Sequence, residues 1–396
     1  MKILVVTPYP IAPLTHGGRV RTSRLGAALA RAGAEVDVLC PWQPGVPWRS
    51  FRRDGVTCHP HAFATNVLPA VLDGRLIPPL VALSWQPFQW GPAQRFRRVG
   101  PCDIIQFDFC AHAAWMERVR PLARVVYSAH NVEYDFAQPQ MRRSIVGDAA
   151  LRRLAALERR AVRASALVVT CTAADAERMR HLYGGDTRFE VIPNGFDEAL
   201  LDGDRHRERE RARAALGLAP DQVAIVFVGG PAQHNLDAAR FLEHELMPRL
   251  GEWARLLIAG HCGGGRGEAR GGAVRRLGYV EDLKAYYAAA DIAVNPVAYG
   301  SGSSVKIAEY LAAGLPIVTT PVGARGYEHL GARLCVTSLP EFAAAVENLR
   351  PSRPGDLPAS REPTWTELGR RLHAAYARLL AGGASPGTAR AGMEAG

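Results

Sequence analysis

The stretch GSGSSVKIAEYLAAGLPIVTT, Gly300 to Thr320, decides the fold of this 396-residue chain. It opens as a glycine- and serine-rich loop, continues into an amphipathic helix, and ends that helix at Gly314. Pro316 then leads into an apolar strand, Ile317–Thr320. Strands and helices that alternate in this way are typical of a parallel sheet with helices on its faces. The stretch therefore predicts an α/β fold.

The same stretch has the chemistry of an anion site. The loop residues Gly302, Ser303 and Ser304 precede a helix N-terminus, where backbone amides and the helix dipole favour a phosphate. Lys306 adds a full positive charge, and Glu309, one turn further on, is suited to accept hydrogen bonds from a ribose. A nucleotide diphosphate fits this set better than a bare phosphate. The alternative is an ordinary capping loop, with Lys306 and Glu309 as a surface pair three residues apart.

Apolar runs alternate with helical patterns throughout the first half of the chain. This alternation predicts a doubly wound α/β domain over residues 1–190. The predicted strands are Ile3–Thr7, Glu35–Cys40, Asp103–Phe107, Arg124–Ser128 and Ala166–Thr170, and the predicted helices are Thr22–Ala32 and Ser144–Ser165.

A second alternating series follows a predicted hinge. The hinge is FEVIPNGFD, beginning at Phe189, together with the charged segment Asp202–Arg213, since such punctuation followed by charge marks a boundary. The second domain is predicted over 191–355, and the glycine- and alanine-rich tail 384–396 is predicted to be disordered. The elements of the second series are the strands Val223–Val228, Arg255–Ala259, Ala273–Leu277 and Ile292–Asn295 and the helices Asn235–Leu250 and Leu283–Ala290.

The composition is compatible with several classes of function and does not select one. Hydrophobic residues make up 48% and charged residues 22%, as in ordinary soluble proteins. The net charge of +10 fits nucleic acid, an anionic membrane surface or a phosphate-rich substrate, but no nucleic-acid motif accompanies it. The seven cysteines are scattered without a CxxC pair and are expected to be free thiols in a reducing cytoplasm. The short apolar N-terminus predicts a buried strand rather than a signal sequence.

One segment, Thr65–Trp90, fits neither alternating series. It mixes aliphatic residues and proline with Trp85 and Trp90, and then meets the arginine-rich run Gln94–Arg98. One interpretation is an irregular helical insertion packed on the first domain. The other is a peripheral surface for an anionic membrane or a lipid acceptor, where aromatic residues beside arginines are common.

Further candidate residues follow predicted strands, where open α/β sheets bind their ligands. Those in the first half are Gly17 and Gly18 before the first helix, Asp108, and the cluster His130, Asn131 and Glu133. Those in the second half are Gly229, Gly230, Gly278, Tyr279 and Val280. His130 is suited to bond a sugar hydroxyl or phosphate, and Glu133 to orient an acceptor. Turns and caps are the alternative interpretation of each. No metal motif occurs, so no metal is expected.

These motifs together resemble the retaining glycosyltransferases of the GT-B fold, specifically the GT4-like family of group 1 glycosyl transferases. The residues that carry the resemblance run in the family's order over about residues 1–330. They are the HGG turn, AHNVE, VIPNGFD, VGG followed by Asn235, LGYVED, and GSGSSVKIAEYLAAGLPIVTT. The last motif is the most specific.

The resemblance implies two Rossmann-like doubly wound domains facing a cleft. The second domain would bind a nucleotide-sugar donor, and the first a glycan, lipid-linked or small-molecule acceptor. Gly302–Ser304 and Lys306 would hold the diphosphate, Glu309 the ribose, and His130 would lie near the transferred sugar. Gly17 and Gly18 would close over the phosphates. A C-terminal helix, about 364–380, would pack back on the first domain.

The sequence departs from the family at two places. Ser301 stands where many relatives carry a glutamate, eight positions before the equivalent of Glu309. The basic pair after the VGG strand is also missing, and Lys306 is expected to replace it. We therefore expect a retaining, metal-independent transferase without a cofactor. The alternatives are a non-catalytic nucleotide-sugar-binding or scaffold protein and a sugar-nucleotide epimerase.

Overall fold

The chain folds into two α/β units in the computed structural model, which describes residues 1–44, 46–61, 76–85, 93, 95–269, 272–350 and 362–382. The N-terminal unit comprises Met1–Ile11, Thr22–Ile192 and the segment from Thr366 onward. The C-terminal unit comprises Ala12–Arg21 and Pro193–Trp365. The tail 384–396 and most of the segment Thr65–Trp90 lie outside the described residues.

The N-terminal unit is built on eight strands in the order β3-β4-β2-β1-β5-β6-β7-β8. All neighbours are parallel except β3 and β4. The strand order reverses at β1, which lies between β2 and β5, and ligands of such sheets bind at this switch point. The strands are β1 Lys2–Val6, β2 Glu35–Pro41, β3 Phe51–Arg53, β4 Val56–His61, β5 Ile104–Asp108, β6 Arg124–Ser128, β7 Leu167–Thr170 and β8 Arg188–Val191.

The C-terminal unit repeats this design with seven strands in the order β11-β12-β10-β9-β13-β14-β15. Only β11 and β12 pair antiparallel, and the order reverses at β9, between β10 and β13. The predicted doubly wound α/β class is therefore confirmed for both halves. The strands are β9 Val223–Val228, β10 Ala254–Ala259, β11 Gly267–Ala269, β12 Val274–Gly278, β13 Ile292–Asn295, β14 Ile317–Thr319 and β15 Leu334–Val336.

Helices connect the parallel strands and cover both sheets. Parallel neighbours need such crossovers, so the central strands are buried on both faces and consist of continuous apolar runs. The helices are α1 Gly17–Arg31, α2 Pro79–Leu83, α3 Ala113–Val119, α4 Glu133–Ala137, α5 Ile145–Ala164, α6 Ala173–Tyr183, α7 Arg205–Ala215, α8 Gln233–Phe241, α9 Met247–Leu250, α10 Lys284–Ala289, α11 Val305–Ala312, α12 Phe342–Asn348 and α13 Trp365–Ala381.

The charged segment Asp202–Arg213 is not simply a solvated hinge, which corrects that prediction. Most of it forms α7, whose N-cap Asp204 accepts from the amides of His206 and Arg207. Arg213 donates to the Asp291 carboxylate at 2.9 Å, and the same oxygen accepts from the amide of Ala224 at 2.8 Å. Arg209 and Arg213, four residues apart, lie on one face of the helix and both reach Asp291, while Arg207 and Arg211 are exposed to water.

The predicted helix Asn235–Leu250 is interrupted. It runs as α8, widens into a π-helical turn at Leu242–Leu246, and resumes as α9. Pro248 has no amide hydrogen to continue the α-helical ladder, and its ring would clash with the carbonyl four residues earlier. A π turn just before the proline accommodates both constraints.

A close contact between α13 and α1 generates a stability prediction. A Cβ on Gly369 would lie 2.7 Å from the carbonyl carbon of Ala28, whereas one on Gly26 would meet only Val56 at 3.7 Å. We expect Gly369→Ala to lower the free energy of unfolding by about 1–3 kcal/mol through overpacking. Gly26→Ala, the matched control, should be neutral or stabilising by up to about 1 kcal/mol. Urea denaturation measures both, and equal stability of the two variants would contradict the prediction.

Candidate functional site

The glycine- and serine-rich loop lies at the carboxyl end of β13 in the C-terminal unit. β13 ends at Asn295, and α11 begins at Val305 with Ser304 as its N-cap. Gly300 and Gly302 have φ of +150° and +71°, which residues with a Cβ rarely adopt. The loop therefore reaches the first turn of α11 through conformations that glycine alone adopts without strain.

Lys306 lies in the first turn of α11 and is half-buried. Its Nζ donates to Asn235 Oδ1 at 3.0 Å and lies 4.3 Å from the centre of the Phe227 ring. Burial lowers the pKa of Lys306 to about 8. The ammonium is thus held beside the carboxyl end of β9 by an amide oxygen and an aromatic face.

Glu309 lies one turn further along α11. Its Oε2 accepts from the Tyr287 hydroxyl at 2.7 Å, and Tyr287 is buried. Burial, with the Glu309 charge, raises the pKa of Tyr287 well above its usual value, so the phenol remains a donor. Tyr287 thereby orients Glu309, and the sequence analysis did not identify it.

The HGG turn packs against the glycine loop after β9, within the C-terminal unit. A Cβ on Gly230 would lie 2.9 Å from the Thr15 carbonyl oxygen, and one on Gly17 would lie 3.5 Å from Val305 Cγ2. Gly17 and Gly18 form the first turn of α1, which corrects the predicted helix start at Thr22. The amide of Val20 donates to the carbonyl of His16, and this is the first hydrogen bond of the helix.

Gly229 has no room for a side chain either. A Cβ there would lie 2.7 Å from Cys262 Sγ and 3.1 Å from Asn235 Cβ. A glycine at this position therefore lets the residue that holds Lys306 approach the end of β9.

Asn194 is part of this site as well as of the predicted hinge motif. Its Nδ2 donates to the Ser303 carbonyl at 2.9 Å, and its Oδ1 accepts from Arg21 at 3.0 Å. Arg21, which is buried, also donates to the Pro193 carbonyl at 2.9 Å. The Asn194 side-chain amide thus connects the helix that begins at Gly17 to the Gly300–Ser304 loop.

The third motif of the C-terminal unit is LGYVED. Gly278 ends β12 with φ of +64°. Tyr279 stacks on His261, with ring centres 5.6 Å apart and planes 30° apart. Val280 packs on the core below. The sequence analysis did not single out His261, which follows the neighbouring strand β10.

The N-terminal unit places Asp108 and His130 at the ends of β5 and β6. Their side chains approach to 3.7 Å between His130 Nε2 and Asp108 Oδ2, and both residues are buried. His130 Nδ1 lies 3.5 Å from the Tyr9 hydroxyl. The two predicted residues are therefore one unit of an acid and an imidazole rather than separate candidates.

Phe109 shapes this pair through a strained backbone. Its φ is +74°, a conformation that costs a bulky residue free energy and recurs at functional sites. The strain directs its ring to within 4.6 Å of the His130 ring and 5.6 Å of the Tyr9 ring. The rings and Asp108 together fix the imidazole in place.

Asp108 also accepts hydrogen bonds that no local sequence pattern indicates. Its Oδ1 accepts from Gln106 Nε2 at 2.7 Å, and its Oδ2 accepts a short bond from the Thr22 hydroxyl. Gln106 Oε1 in turn accepts from the Tyr376 hydroxyl, on α13, at 2.5 Å.

Asn131 and Glu133 lie beside this pair and bond to each other. Asn131 Nδ2 donates to Glu133 Oε1 at 3.1 Å. Burial, with the charge of nearby Glu158, raises the pKa of Glu133 to about 8. Glu158 caps α4 by accepting from the Glu133 amide at 2.8 Å, and burial raises its own pKa to about 7. Glu133 is therefore a buried acid next to the His130 loop.

The described residues contain neither a metal-binding cluster nor a membrane-spanning helix. No group of three or more histidine, cysteine, aspartate or glutamate side chains there is arranged to hold a metal ion. No helix in that part of the chain has the length and apolar character to cross a bilayer.

Two protein-family models match the chain in succession. The model described as Glycosyltransferase Family 4 matches residues 15–200, and the model described as Glycosyl transferases group 1 matches residues 222–350. Between them the two models include every candidate residue given above except Tyr9 and Tyr376.

Curated and structural relatives agree with these matches. The D-inositol 3-phosphate glycosyltransferase of Rhodococcus erythropolis is 28% identical over 239 residues, 54% of this chain and 50% of that protein. The chain thus spans about half the length of the curated relatives it matches. WaaG, a glycosyltransferase involved in lipopolysaccharide biosynthesis, aligns with a TM-score of 0.65 and 18% identity, covering 97% of this chain and 100% of WaaG. Anabaena HepE in complex with UDP aligns with a TM-score of 0.56 and 17% identity, covering 96% and 98%.

The buried acids predict a pH dependence of stability. Because the folded-state pKa values of Glu133 and Glu158 lie above those of an unfolded chain, they stabilise the fold at low pH, and this contribution is lost as the pH rises through about 7 to 8. Glu133→Gln keeps the acceptor for Asn131 but cannot ionise. We expect it to be more stable than wild type at pH 9 by on the order of 2 kcal/mol, with a smaller difference at pH 5.

Urea denaturation at both pH values measures this effect. Glu347→Gln, at an exposed position on α12, is the matched control and should follow wild type. A Glu133→Gln variant that gains nothing between pH 5 and pH 9 would contradict the assignment of a raised pKa.

Proposed function

The chain belongs to glycosyltransferase family 4 and has the GT-B fold, and we propose that it transfers a sugar from a nucleotide-diphosphate donor to an acceptor hydroxyl. The observation that carries the proposal is Lys306, held at the start of α11 directly after the Gly300–Ser304 loop. A half-buried ammonium beside a helix N-terminus is suited to a diphosphate.

In the donor half of the proposed site, three groups of residues would bind the diphosphate, the ribose and the base. The diphosphate would be bound by the loop amides near Gly302–Ser304, by Lys306 and by the Gly17–Gly18 turn. The ribose would be bound by Glu309, which Tyr287 already orients, and the base by backbone near Gly278–Val280. HepE, which shares the fold, was solved with UDP, and this supports the proposal of a nucleotide ligand.

For the reaction we propose electrostatic stabilisation of the leaving diphosphate. As the bond between the anomeric carbon and the diphosphate breaks, negative charge grows on the departing oxygens. Fixed amide dipoles and Lys306 would stabilise that charge without reorganising. Such electrostatic stabilisation is usually the largest single contribution to catalysis. Because this protein charge would replace a bound cation, we also propose that transfer needs no metal ion.

For the acceptor we propose a glycan, lipid-linked or small-molecule hydroxyl bound by the N-terminal unit near His130, Asn131 and Glu133. We propose, from the family resemblance, that the configuration at the anomeric carbon is retained. The acceptor oxygen would attack the anomeric carbon from the side of the leaving group, and its proton would pass to a departing diphosphate oxygen. If the acceptor is lipid-linked, we also propose that the protein contacts the membrane surface peripherally.

A second candidate function is non-catalytic binding of a nucleotide sugar. Ser301 favours it, because many relatives carry there a glutamate that contacts the donor sugar. The loop after the VGG strand favours it too, because it lacks the basic pair that relatives usually carry there. Such a protein would bind donor through Lys306 and Glu309 but would transfer nothing to any acceptor.

A panel of nucleoside diphosphates and nucleotide sugars tests donor binding. We expect the nucleotides of one base to raise the melting temperature of the protein, and to raise it equally with magnesium and with EDTA. At a concentration a hundredfold above the dissociation constant, the stabilisation should be about 2.7 kcal/mol. Glu309→Ala should lose most of the shift because it removes both carboxylate oxygens that would accept from the ribose, and Glu347→Ala should keep it. If no nucleotide stabilises the protein, both candidate functions fail. Binding without transfer to any acceptor would select the second.

The pKa of Lys306 predicts the pH dependence of donor binding. The lysine is charged below its pKa of about 8, so donor affinity should be level below pH 7. It should then fall by up to about tenfold per pH unit above pH 8 as the charge is lost. Lys306→Arg should flatten this profile because arginine stays charged. Lys306→Ala should lower turnover by about 10²–10³-fold.

Calorimetric titration at pH 6 to 10, with the diphosphate that the panel identifies, measures the profile. An unchanged turnover in Lys306→Ala would remove Lys306 from the donor site, whereas a level affinity through pH 9 in wild type would contradict its lowered pKa.

A further inference from the structure

The Asp108 carboxylate of the N-terminal unit accepts hydrogen bonds on both oxygens. Gln106 Nε2 donates to Oδ1 at 2.7 Å, and the Thr22 hydroxyl donates to Oδ2, which also faces His130 Nε2 at 3.7 Å. Asp108 has no exposed surface. A buried carboxylate stays ionised only where donors replace the water it has lost. The donors to Asp108 therefore decide its charge.

Gln106 is a donor to Asp108 only in one orientation of its amide. A glutamine side chain presents an oxygen on one side and an NH₂ group on the other, and a half turn exchanges them. Here Oε1 accepts from the Tyr376 hydroxyl at 2.5 Å, and a phenol in that position must donate. Tyr376 is fully buried on α13. The phenol therefore directs the NH₂ group of Gln106 toward Asp108.

The charge of Asp108 in turn acts on His130. A carboxylate facing Nε2 favours a proton on that nitrogen and stabilises the imidazolium. Tyr9 and Phe109 also face the ring. The Tyr9 hydroxyl lies 3.5 Å from Nδ1 and 3.1 Å from the Thr22 hydroxyl, and the centre of the Phe109 ring lies 4.6 Å from that of the imidazole. Burial and the Asp108 charge raise the pKa of Tyr9, so Tyr9 stays neutral, and the Glu133 charge also acts on Tyr9.

We propose that Gln106 and Tyr376 are positioning residues, through which the C-terminal helix α13 fixes the Asp108 carboxylate and so the tautomer and orientation of His130. The inference rests on the proposed function in taking His130 as the residue that contacts the transferred sugar. Neither positioning residue touches substrate. Their effect passes through Asp108.

A purely structural role for Tyr376 is the competing explanation, because α13 also packs through apolar contacts. Leu372, one turn before Tyr376, is buried with 1% of its surface exposed. Leu372→Ala therefore weakens the same helix without touching the hydrogen-bond chain. It is the matched control for Tyr376→Phe, which removes a single oxygen atom.

The first test is the titration of His130 by NMR of protein labelled with ¹⁵N-histidine. The His130→Asn spectrum assigns the signal. Tyr376→Phe removes the donor to Gln106 Oε1, so the amide is oriented less firmly and its bond to Asp108 Oδ1 weakens. We expect the His130 titration midpoint to fall by about half to one pH unit, while Leu372→Ala keeps the wild-type midpoint. Gln106→Glu, which places a second carboxyl group beside Asp108, should also shift it. An unchanged midpoint in Tyr376→Phe would overturn the proposal whatever Gln106→Glu does, because a second carboxyl group can shift a nearby imidazole by its charge alone.

The second test is a double-mutant cycle on transfer. Tyr376→Phe should lower kcat about tenfold with an unchanged KM for the donor. In a His130→Asn background the same change should cost nothing further, whereas Leu372→Ala should have equal effects in both backgrounds. Additive losses for Tyr376→Phe and His130→Asn would overturn the proposal.

These two measurements also separate this inference from the proposed function. The NMR titration needs no turnover, so a shifted midpoint in a protein that transfers no sugar would support the network and reject the transferase. Active transfer with an unshifted midpoint would do the reverse.

Discussion

Parallel strands cannot be joined by tight turns, and this constraint determines where the connecting helices and the candidate site residues lie. Each strand must be followed by a crossover, so the carboxyl ends of neighbouring strands meet at one edge of their sheet. In the N-terminal unit that edge brings together residues after β1, β5 and β6, and in the C-terminal unit residues after β9, β12 and β13. The candidate groups of each unit lie together because of this arrangement.

The groups at these edges are those that a purely structural protein would avoid burying. A lysine, several carboxylates and a histidine are withdrawn from water at a cost of free energy, and each is compensated by specific donors or acceptors. Asn235 and the Phe227 ring accept Lys306, and Tyr287 donates to Glu309. In the N-terminal unit, the buried Asp108 and His130 lie beside Phe109, whose φ is positive, and such an arrangement is typical of a functional site.

The family that the motifs indicate is confirmed by the two family models, and its fold by the solved structures. Asn235 follows β9, and the ammonium of Lys306 reaches it from α11. A positive charge near the end of β9 is thus supplied from α11. This explains why Lys306, rather than the loop after β9, carries the proposal for donor binding.

The sequence by itself determined the alternation of strands and helices, the strands Arg124–Ser128, Val223–Val228 and Ile292–Asn295 to the residue, and the loop that leads to Lys306. These features follow from periodicity and turn chemistry, which act over a few neighbouring residues. Tertiary structure alone decided the bonds of Asn194 to Arg21, 173 residues away, and of Tyr376 to Gln106, 270 residues away. A buried polar side chain takes whichever partner the packed fold brings within 3 Å, and no local pattern records that choice.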